Sequence, residues 1–359
     1  MIAGSTDAGI RVKYLYRGQS PENMLTLLRQ FPGRNPVWGN CRFCFDKNER
    51  DYDWLVVDND LPARDGDDQK TAIEELACPA AHTLFITREP SSISTYGTDF
   101  LRQFGYVLTG QEDWAIRHPG KIHSQPALRW YYGDTSRNGN IDMRDYDYIA
   151  SHVPEEKTRM VSTVCSAKAQ KHTMHYKRVQ FIERLCAELP ELDRFGEGVR
   201  EVHDKAETLD DYKYHIAIEN HVCDHWWTEK LSDAFLGHTL PFYHGAPNAA
   251  DYFPGDSFIA IDINDFDRSL KIIKDALAGN EYEKRIEFIR EARRLCLEKY
   301  NTFATLSEII EKRHDPTIKA SPGKLIRGKH ALRSNPVKAA RIGLEKTYMR
   351  VRSVLENHL

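Results

Sequence analysis

Four polar residues that follow or begin predicted elements of the chain could together bind an anion. Apolar residues run through Ile218 and stop at Glu219 and Asn220, so a buried strand ends in two polar side chains. Further along, Glu229 and Lys230 stand in the first turn of a predicted helix. A lysine there adds charge to the positive end of the helix dipole, where a diphosphate would bind, and a carboxylate at a strand end suits ribose hydroxyls. The alternative is a surface helix with an ordinary Glu–Lys pair.

Two further candidates, Arg178 and Glu89, follow other predicted strands. Arg178 lies in the first turns of the helix after the strand at Met160–Val164, and a guanidinium can bind a phosphate bidentately, as a lysine cannot. Glu89 follows the strongly apolar strand at Thr83–Thr87 and could act as a general base toward an attacking hydroxyl. Taken alone, Arg178 is also compatible with a solvated side chain, and Glu89 with an N-cap or surface acid.

The patterns that would indicate a metal or a bound cofactor are weak. Residues 58–60, Asp-Asn-Asp, have the form of an acidic metal-binding triplet, but such triplets are common in turns. Cys41 and Cys44 have redox-motif spacing inside a strand-like run, with no second pair for zinc. The chain has no Gly-rich phosphate loop and no dinucleotide fingerprint. We therefore predict no metal site and no cofactor.

The elements that position these residues alternate between strands and helices. This order favours parallel sheets with helices on their faces. In the first half, helices are predicted at Met24–Phe31, Thr71–Leu76 and Tyr96–Phe104. The pattern weakens from Pro119 to Glu156, and a second α/β unit follows. We predict two doubly wound, Rossmann-like domains, residues 1–150 and 151–315, that face a central crevice, and a separate tail at 316–359.

The tail is basic and has a helical rhythm. Lysines and arginines greatly outnumber acids from residue 319 to 352, while Val337, Leu344, Tyr348, Val351 and Leu355 fall near a seven-residue repeat. This pattern predicts an amphipathic helix that could make peripheral contact with an anionic membrane. The alternative is a terminal helix that packs on its own protein.

The composition is that of a soluble globular chain. Its 359 residues are 41% hydrophobic and 29% charged, and the net charge of −3 gives no reason to expect a nucleic acid partner. No stretch approaches the ~20 apolar residues of a membrane span, and the first residues lack a signal-peptide pattern. The seven scattered cysteines indicate a reducing setting. We expect a cytoplasmic protein.

The chain resembles the α1,3-fucosyltransferases, family ten of the glycosyltransferases. The similarity covers about residues 160 to 280 and, more loosely, the first half. Its central part is Glu219-Asn220, then Thr228-Glu229-Lys230, then the strand Ser257-Phe258-Ile259. The matching positions extend back to Arg178, Lys205 and Tyr212, and forward through Pro241, Gly245, Asn248, Tyr252 and Pro254.

The resemblance implies an α/β fold of the GT-B type, with a nucleotide-sugar donor held by the second domain and the acceptor facing the first. It also implies transfer with inversion and without a metal. Arg178 and Lys230 match the residues that neutralise the diphosphate, and Glu229 the one that binds the ribose. Asn220 matches another donor-site group, and Glu89 stands where the base lies. The remaining donor-site assignments are Glu219, Trp226, Lys205 and Tyr212.

The chain departs from the family in the loop before the Thr-Glu-Lys motif. Trp226 and Trp227 replace a Tyr followed by Val or Ile, and residues 222–225 are Val-Cys-Asp-His. These positions line the sugar side of the donor pocket in relatives, so they bear on the choice of sugar. We expect transfer of fucose from GDP-fucose to a glycan, lipid-linked or part of a surface polysaccharide or lipopolysaccharide. The alternatives are another nucleotide sugar, or a silent glycan-binding scaffold.

Overall fold

The computed structural model describes residues 9–63, 68, 71–136, 143–167 and 174–357, which form two compact α/β units. Unit 1 comprises Met1–Phe31, Asn35–Ala127 and Phe303–Leu359, and unit 2 comprises Pro32–Arg34 and Leu128–Thr302. The division differs from the predicted boundaries at 150 and 315. Residues 128–150 group with unit 2, and the chain returns to unit 1 at residue 303.

The strands are short and most are buried. In chain order they are β1 (Ile10–Tyr16), β2 (Val37–Trp38), β3 (Cys41–Cys44), β4 (Trp54–Asp58), β5 (Ile73–Glu75), β6 (Thr83–Ile86), β7 (Tyr106–Thr109), β8 (Lys121–His123), β9 (Arg159–Val164), β10 (Leu192–Phe195), β11 (Tyr212–Ile218), β12 (Leu240–His244), β13 (Ile259–Ala260) and β14 (Leu325–Arg327).

The helices follow the same order. They are α1 (Pro21–Leu28), α2 (Thr98–Leu101), α3 (Tyr146–Ser151), α4 (Met174–Glu188), α5 (Glu229–Leu236), α6 (Phe266–Ala278), α7 (Glu281–Lys284), α8 (Ile286–Glu298), α9 (Thr302–Glu311), α10 (Lys329–Arg333) and α11 (Pro336–Asn357). Within the described ranges, none is long and apolar enough to cross a bilayer.

The main sheet of unit 1 has the order β2-β3-β1-β4-β6-β7-β8, and its pairs are parallel except β2 with β3. Every residue of β4 is buried, as expected for a central strand covered on both faces. The register places Asp58, the last residue of β4, beside Tyr16 of β1 and Ile86 of β6. The polar residues that follow these strands therefore meet at one edge of the sheet.

Unit 2 contains a five-stranded parallel sheet in the order β10-β9-β11-β12-β13. Its central strand, β11, is buried from Tyr214 to Ile218, and Ile218 pairs with His244 at the end of β12. On one face, helix α4 packs Val179, Ile182 and Leu185 into the core. These three side chains lie at helical spacing, which is why α4 is the clearest helix in the sequence of unit 2.

One predicted element of unit 1 differs from the structure. The helix predicted at Thr71–Leu76 is wrong: the segment contains β5, which pairs antiparallel with β14. The second strand comes from about 250 residues further along the chain, a partner that local periodicity cannot reveal. The helix predicted in the tail is present as α11, where Val337 and Leu344 are 78% and 74% exposed. The same helix buries Met349, with Ile342 partly buried.

A buried histidine in β11 predicts how stability depends on pH. Ser162 Oγ donates to the Thr208 carbonyl at 2.5 Å and therefore accepts from His215 Nδ1 at 2.8 Å. Burial, with a contribution from Lys205, lowers the pKa of His215 to about 3. As the pH falls from about 6.5 toward 3, the unfolded chain binds a proton that the folded unit excludes. The free energy of unfolding should therefore fall by about 1.4 kcal/mol per pH unit for this group.

Urea unfolding of the full chain at pH 7, 6 and 5 measures this dependence. His215→Asn should remove about one proton from the slope, while the same change at the exposed His152 should leave the slope unaltered. An unaltered slope in His215→Asn would show that the ring is protonated in the folded unit.

Candidate functional site

A buried carboxylate at the end of β11 organises the candidate site in unit 2. Glu219 is fully buried, and its Oε1 accepts a hydrogen bond from the Thr228 backbone N–H at 2.8 Å. The Thr228 hydroxyl lies 2.7 Å from its Oε2. Burial raises the pKa of Glu219, an effect that nearby Lys230 opposes. The carboxylate thus ties the strand end to the start of α5.

Helix α5 begins where its sequence indicates. Thr228 is the N-cap, and its side chain accepts from the Lys230 N–H at 3.3 Å. Leu231, Ala234 and Phe235 form the apolar stripe that packs into the unit 2 core. The helix ends at Gly237. Its positive end therefore lies beside the polar residues that follow β11.

Lys230 and Glu229 form a compact charged pair at this helix start. Lys230 Nζ lies 3.1 Å from Glu229 Oε1 and 3.5 Å from Glu219 Oε2. Burial would raise the pKa of Glu229, but the ammonium groups of Lys230 and Lys205 lower it to about 2. Burial would lower the pKa of Lys230, but the carboxylates of Glu229 and Glu219 outweigh it and raise that pKa. Lys230 and Glu229 are thus held in their charged forms near neutral pH, whereas burial of Glu219 works against its ionisation.

Arg178 comes to the same place from α4. It is 8% exposed, donates from Nη1 to Asn220 Oδ1 at 2.7 Å, and its Nη2 lies 3.3 Å from His175 Nδ1. Its Nε is buried and has no hydrogen-bond acceptor within the described part of the chain. Burial and the positive charges of Arg178 and Lys230 lower the pKa of His175. Arg178 and Lys230 therefore both make this region positive, and Arg178 Nε has no acceptor among the described residues.

Lys205 stabilises the start of α5 through contacts with residues of that helix. Its Nζ lies 2.7 Å from Asp233 Oδ2 and 3.2 Å from the Glu229 carbonyl oxygen. Asp233 is fully buried and also accepts from the Tyr131 backbone N–H at 2.9 Å. Burying a carboxylate requires compensation of this kind. The predicted donor residue Lys205 thus places its charge on protein groups and fixes the first turn of α5.

A glycine after β12 permits this packing. A Cβ on Gly245 would lie 2.2 Å from the Tyr243 hydroxyl and 2.6 Å from Glu219 Cγ. The same hydroxyl accepts from the Ala246 N–H at 3.0 Å. A side chain at 245 would therefore displace Glu219 or break the turn that follows β12.

The structure brings most of the predicted donor residues together, with exceptions. Arg178, Asn220, Glu229 and Lys230 lie at the carboxyl end of β11 with partial exposure of the last three. Tyr212 does not join them: it begins β11, six residues or about 20 Å from Ile218. Its hydroxyl instead donates to Asp193 at 2.7 Å. The assignment of Tyr212 to the donor site is not supported by this position.

Two other predicted donor residues are buried. Glu219 has no exposed surface, so it orients Thr228 and the helix start instead of meeting a ligand directly. Trp226 is 2% exposed, and its neighbour Trp227 packs edge-on against Phe253 and Tyr300 in the core. Asp233, the partner of Lys205, was not predicted from the sequence. The only feature of the sequence that points to it is its position one helical turn after Glu229.

The proposed base lies in unit 1, in a well-anchored segment. Backbone N–H groups of Arg88 and Glu89 donate to the Tyr96 hydroxyl at 2.8 and 3.0 Å. Gln111 Nε2 donates to the Glu89 carbonyl at 2.7 Å. The Glu89 side chain is partly exposed. Its backbone is therefore fixed on both sides by side chains from other segments.

The neighbouring acidic triplet is used within unit 1. Asp58 forms a bidentate ion pair with Arg88, whose Nη2 also donates to the Tyr14 hydroxyl at 3.1 Å. Asp60 accepts from the backbone N–H groups of Leu61 and Lys329 at 2.9 and 3.0 Å. These contacts give the two carboxylates structural roles at the strand ends.

Comparison with solved structures defines the class of fold. The chain aligns with a crystal structure of an alpha1,3-fucosyltransferase at a TM-score of 0.51 and 16% identity, over 89% of this chain and 93% of that one. A structure of alpha1,3-fucosyltransferase with GDP gives a TM-score of 0.50 at 17% identity, over 88% of this chain and 94% of that one. Together with the parallel sheets of both units, this confirms the predicted α/β fold of the GT-B type with Rossmann-like units.

Comparison of sequences confirms the resemblance to the α1,3-fucosyltransferases. Residues 154–283 match the family model "Glycosyltransferase family 10 (fucosyltransferase) C-term". The alpha-(1,3)-fucosyltransferase FucT of Helicobacter pylori is 38% identical over 74 residues, 20% of this chain and 16% of that protein. The mouse 4-galactosyl-N-acetylglucosaminide 3-alpha-L-fucosyltransferase 9 is 30% identical over 131 residues, 35% of each chain. The matches thus span about a third or less of these relatives.

Proposed function

We propose that this protein is a glycosyltransferase that moves fucose from GDP-fucose to a hydroxyl of a glycan. One observation carries the proposal: Arg178, buried and held by Asn220, keeps a donor without an acceptor among the described residues, in a region that Lys230 also makes positive. Buried donors are normally paired. The oxygens of a diphosphate would supply acceptors for both cations.

The donor would bind through the partly exposed groups at the start of α5. Lys230 and Arg178 would neutralise the diphosphate, and the backbone N–H groups of the helix start add to that field. Glu229, ionised because its pKa is about 2, would accept from the ribose hydroxyls. Asn220 would hold Arg178 in position. A structurally similar alpha1,3-fucosyltransferase has been solved with GDP, which supports this choice of nucleotide.

The proposed reaction is a direct displacement without a metal. Glu89 takes the proton of an acceptor hydroxyl as its oxygen attacks the anomeric carbon. The bond from that carbon to the diphosphate oxygen breaks, and GDP leaves with the electron pair. Arg178 and Lys230 stabilise the negative charge that develops on it. One displacement inverts the anomeric configuration.

The loop before α5 is the reason to consider a second nucleotide-sugar donor. His225 has a left-handed φ of 66°, donates its N–H to Asn248 Oδ1 at 2.7 Å, and lies 2.5 Å from the Tyr252 hydroxyl through Nδ1. The loop is therefore fixed in one shape by residues of its own unit. Since its sequence departs from the family, a different nucleotide sugar is the second candidate, and a silent glycan-binding scaffold the third.

Thermal unfolding with nucleotides tests the donor. GDP at about 100 times its Kd should stabilise the fold by about 2.7 kcal/mol and raise Tm, with smaller effects from UDP and CMP. Arg178→Ala should lose most of the shift. Arg184→Ala, on the same helix and largely solvent-exposed, is the matched control and should keep it. No shift with GDP, or a shift with UDP sugars alone, would contradict the GDP-fucose assignment.

We also propose that the protein works at the cytoplasmic face of a membrane, through α11. The helix exposes Val337, Leu344, Tyr348 and Val351, and it carries exposed basic residues such as Lys346 and Arg350. Vesicles containing anionic lipid should co-sediment with the protein, and less so at high salt. Leu344→Ser with Val351→Ser should weaken this binding, whereas Phe288→Ser, an exposed apolar residue of unit 2, should not. Equal binding by both variants would exclude the helix face.

A further inference from the structure

A groove of about 220 Å³ lies within unit 1 and is not part of the nucleotide site. Three segments line it: the turn and start of α2 from Thr95 to Leu101, the loop from Trp114 to Arg117, and one face of α11. Helix α11 contributes Glu345, Tyr348 and Met349. The last helix of the chain therefore completes a concave surface that the earlier segments leave open.

The lining combines aromatic rings with polar groups. Tyr96, Trp114 and Tyr348 supply the rings, and Tyr348 is 53% exposed. Thr95, Arg117 and Glu345 supply hydrogen-bonding groups. Ligand sites typically pair apolar and aromatic walls with a few polar groups that fix orientation. A sugar ring presents the matching surface, with an apolar face of C–H bonds and a rim of hydroxyls.

The indole of Trp114 has an unused donor. Its Nε1 is buried and has no acceptor within the part of the chain that the structure describes. A Trp N–H that is withdrawn from water normally finds a partner. The Glu345 carboxylate, which also lines the groove, already accepts from the Thr98 backbone N–H at 3.1 Å and so fixes α11 against α2. A hydroxyl in the groove would give the Trp114 N–H its acceptor.

The groove shares a residue with the segment that carries the proposed base. Tyr96 lines the groove, and its hydroxyl accepts from the backbone N–H groups of Arg88 and Glu89. Tyr96 is 2% exposed, so the surrounding residues hold its side chain in place. Tyr96 therefore connects the lining of the groove with the backbone of the segment that holds Glu89.

We propose that this groove binds a sugar ring of the acceptor glycan, with the ring against Trp114 and Tyr348 and a hydroxyl accepting from Trp114 Nε1. The inference rests on the proposed function, because it names where the acceptor of that transfer binds. It gives α11 a second role: Tyr348 contacts the acceptor, while Val337 and Leu344 lie outside the groove lining. The site would recognise a sugar next to the one that receives the transferred unit.

Steady-state transfer and direct binding test the groove together. The probes are a free 4-galactosyl-N-acetylglucosaminide and a panel of oligosaccharides from bacterial surface polysaccharides, with binding followed by calorimetry. Trp114→Ala and Tyr348→Ala should each raise the acceptor KM or Kd at least about tenfold. Trp114→Phe keeps a ring but loses the N–H, so it should give a smaller increase. Phe288→Ala, in unit 2, should match the wild type.

The outcomes separate this inference from the proposed function. GDP binding, measured on each variant, reports the nucleotide site independently. If wild-type protein binds GDP and a glycan probe, and both Trp114 variants keep glycan affinity within twofold, the groove is not the acceptor subsite although the transferase proposal stands. If no probe binds wild-type protein, the inference fails as well. Loss of GDP binding in wild-type protein would instead overturn the proposed function.

Discussion

Replacing Lys230 by alanine is expected to lower kcat for sugar transfer by about 10²- to 10³-fold, the effect of removing one group that stabilises developing charge. The ammonium group lies at the start of α5, 3.1 Å from Glu229 and near enough to Arg178 for the two charges to affect each other. It is thus the cation that a departing diphosphate would meet beside Arg178. Single-turnover transfer with saturating GDP-fucose measures the loss.

The variant needs a check on folding, because it removes the ammonium group that lies 3.5 Å from Glu219 and 3.1 Å from Glu229. Far-UV circular dichroism and Tm provide this check. Lys230→Arg keeps the charge and should recover part of the rate if charge is what matters. Lys271→Ala removes a lysine that is 76% exposed on α6 and should change nothing. A folded Lys230→Ala protein with wild-type kcat would refute the role of this cation.

The second large effect is expected from Glu89→Gln, which should lower kcat by about 10²- to 10⁴-fold with a smaller change in the acceptor KM. The amide has nearly the shape of the carboxylate but cannot take a proton from the acceptor. The contacts of Tyr96 and Gln111 with residue 89 are to its backbone, so they persist in the variant. Steady-state transfer at saturating GDP-fucose, measured over a range of acceptor concentrations, gives both parameters.

Glu75→Gln is the matched control for this prediction. Glu75 is an exposed acid in β5 of the same unit, and its contact with Tyr52 is through the backbone carbonyl. Its kcat and acceptor KM should equal those of the wild type. A Glu89→Gln protein that retains more than about a tenth of the wild-type rate would mean that another group accepts the proton.

The sequence predicted those parts of the site that are set by local order. A strand followed by Glu219-Asn220 and a helix capped by Thr228 both place polar groups at the carboxyl end of β11, where Glu219 accepts from the Thr228 N–H. Tyr212 fails for the same geometric reason, because it begins the strand that Glu219 follows. The family motif includes it by spacing, but spacing does not say which end of a strand a residue occupies.

Features that depend on distant segments could not be predicted. Asp233 forms an ion pair with Lys205, which lies 28 residues earlier in the sequence. No local sequence pattern near either residue predicts this pair. The strand β5 forms only because β14 supplies its partner. For α11 the sequence left open whether the helix packs on its own protein, and the structure buries Met349 while Val337 and Leu344 stay exposed. In each case the deciding contact is with a segment remote in sequence.

The division into units has a consequence for how the chain folds as it is synthesised. Unit 2 is complete once Thr302 has emerged, whereas unit 1 still lacks α9. Phe303 of that helix stacks on Phe31 with ring centroids 4.0 Å apart, and Leu306 and Ile310 join the same core. The second unit in the sequence is therefore the first that can close its core. During synthesis, the core of unit 1 lacks these side chains until α9 has emerged.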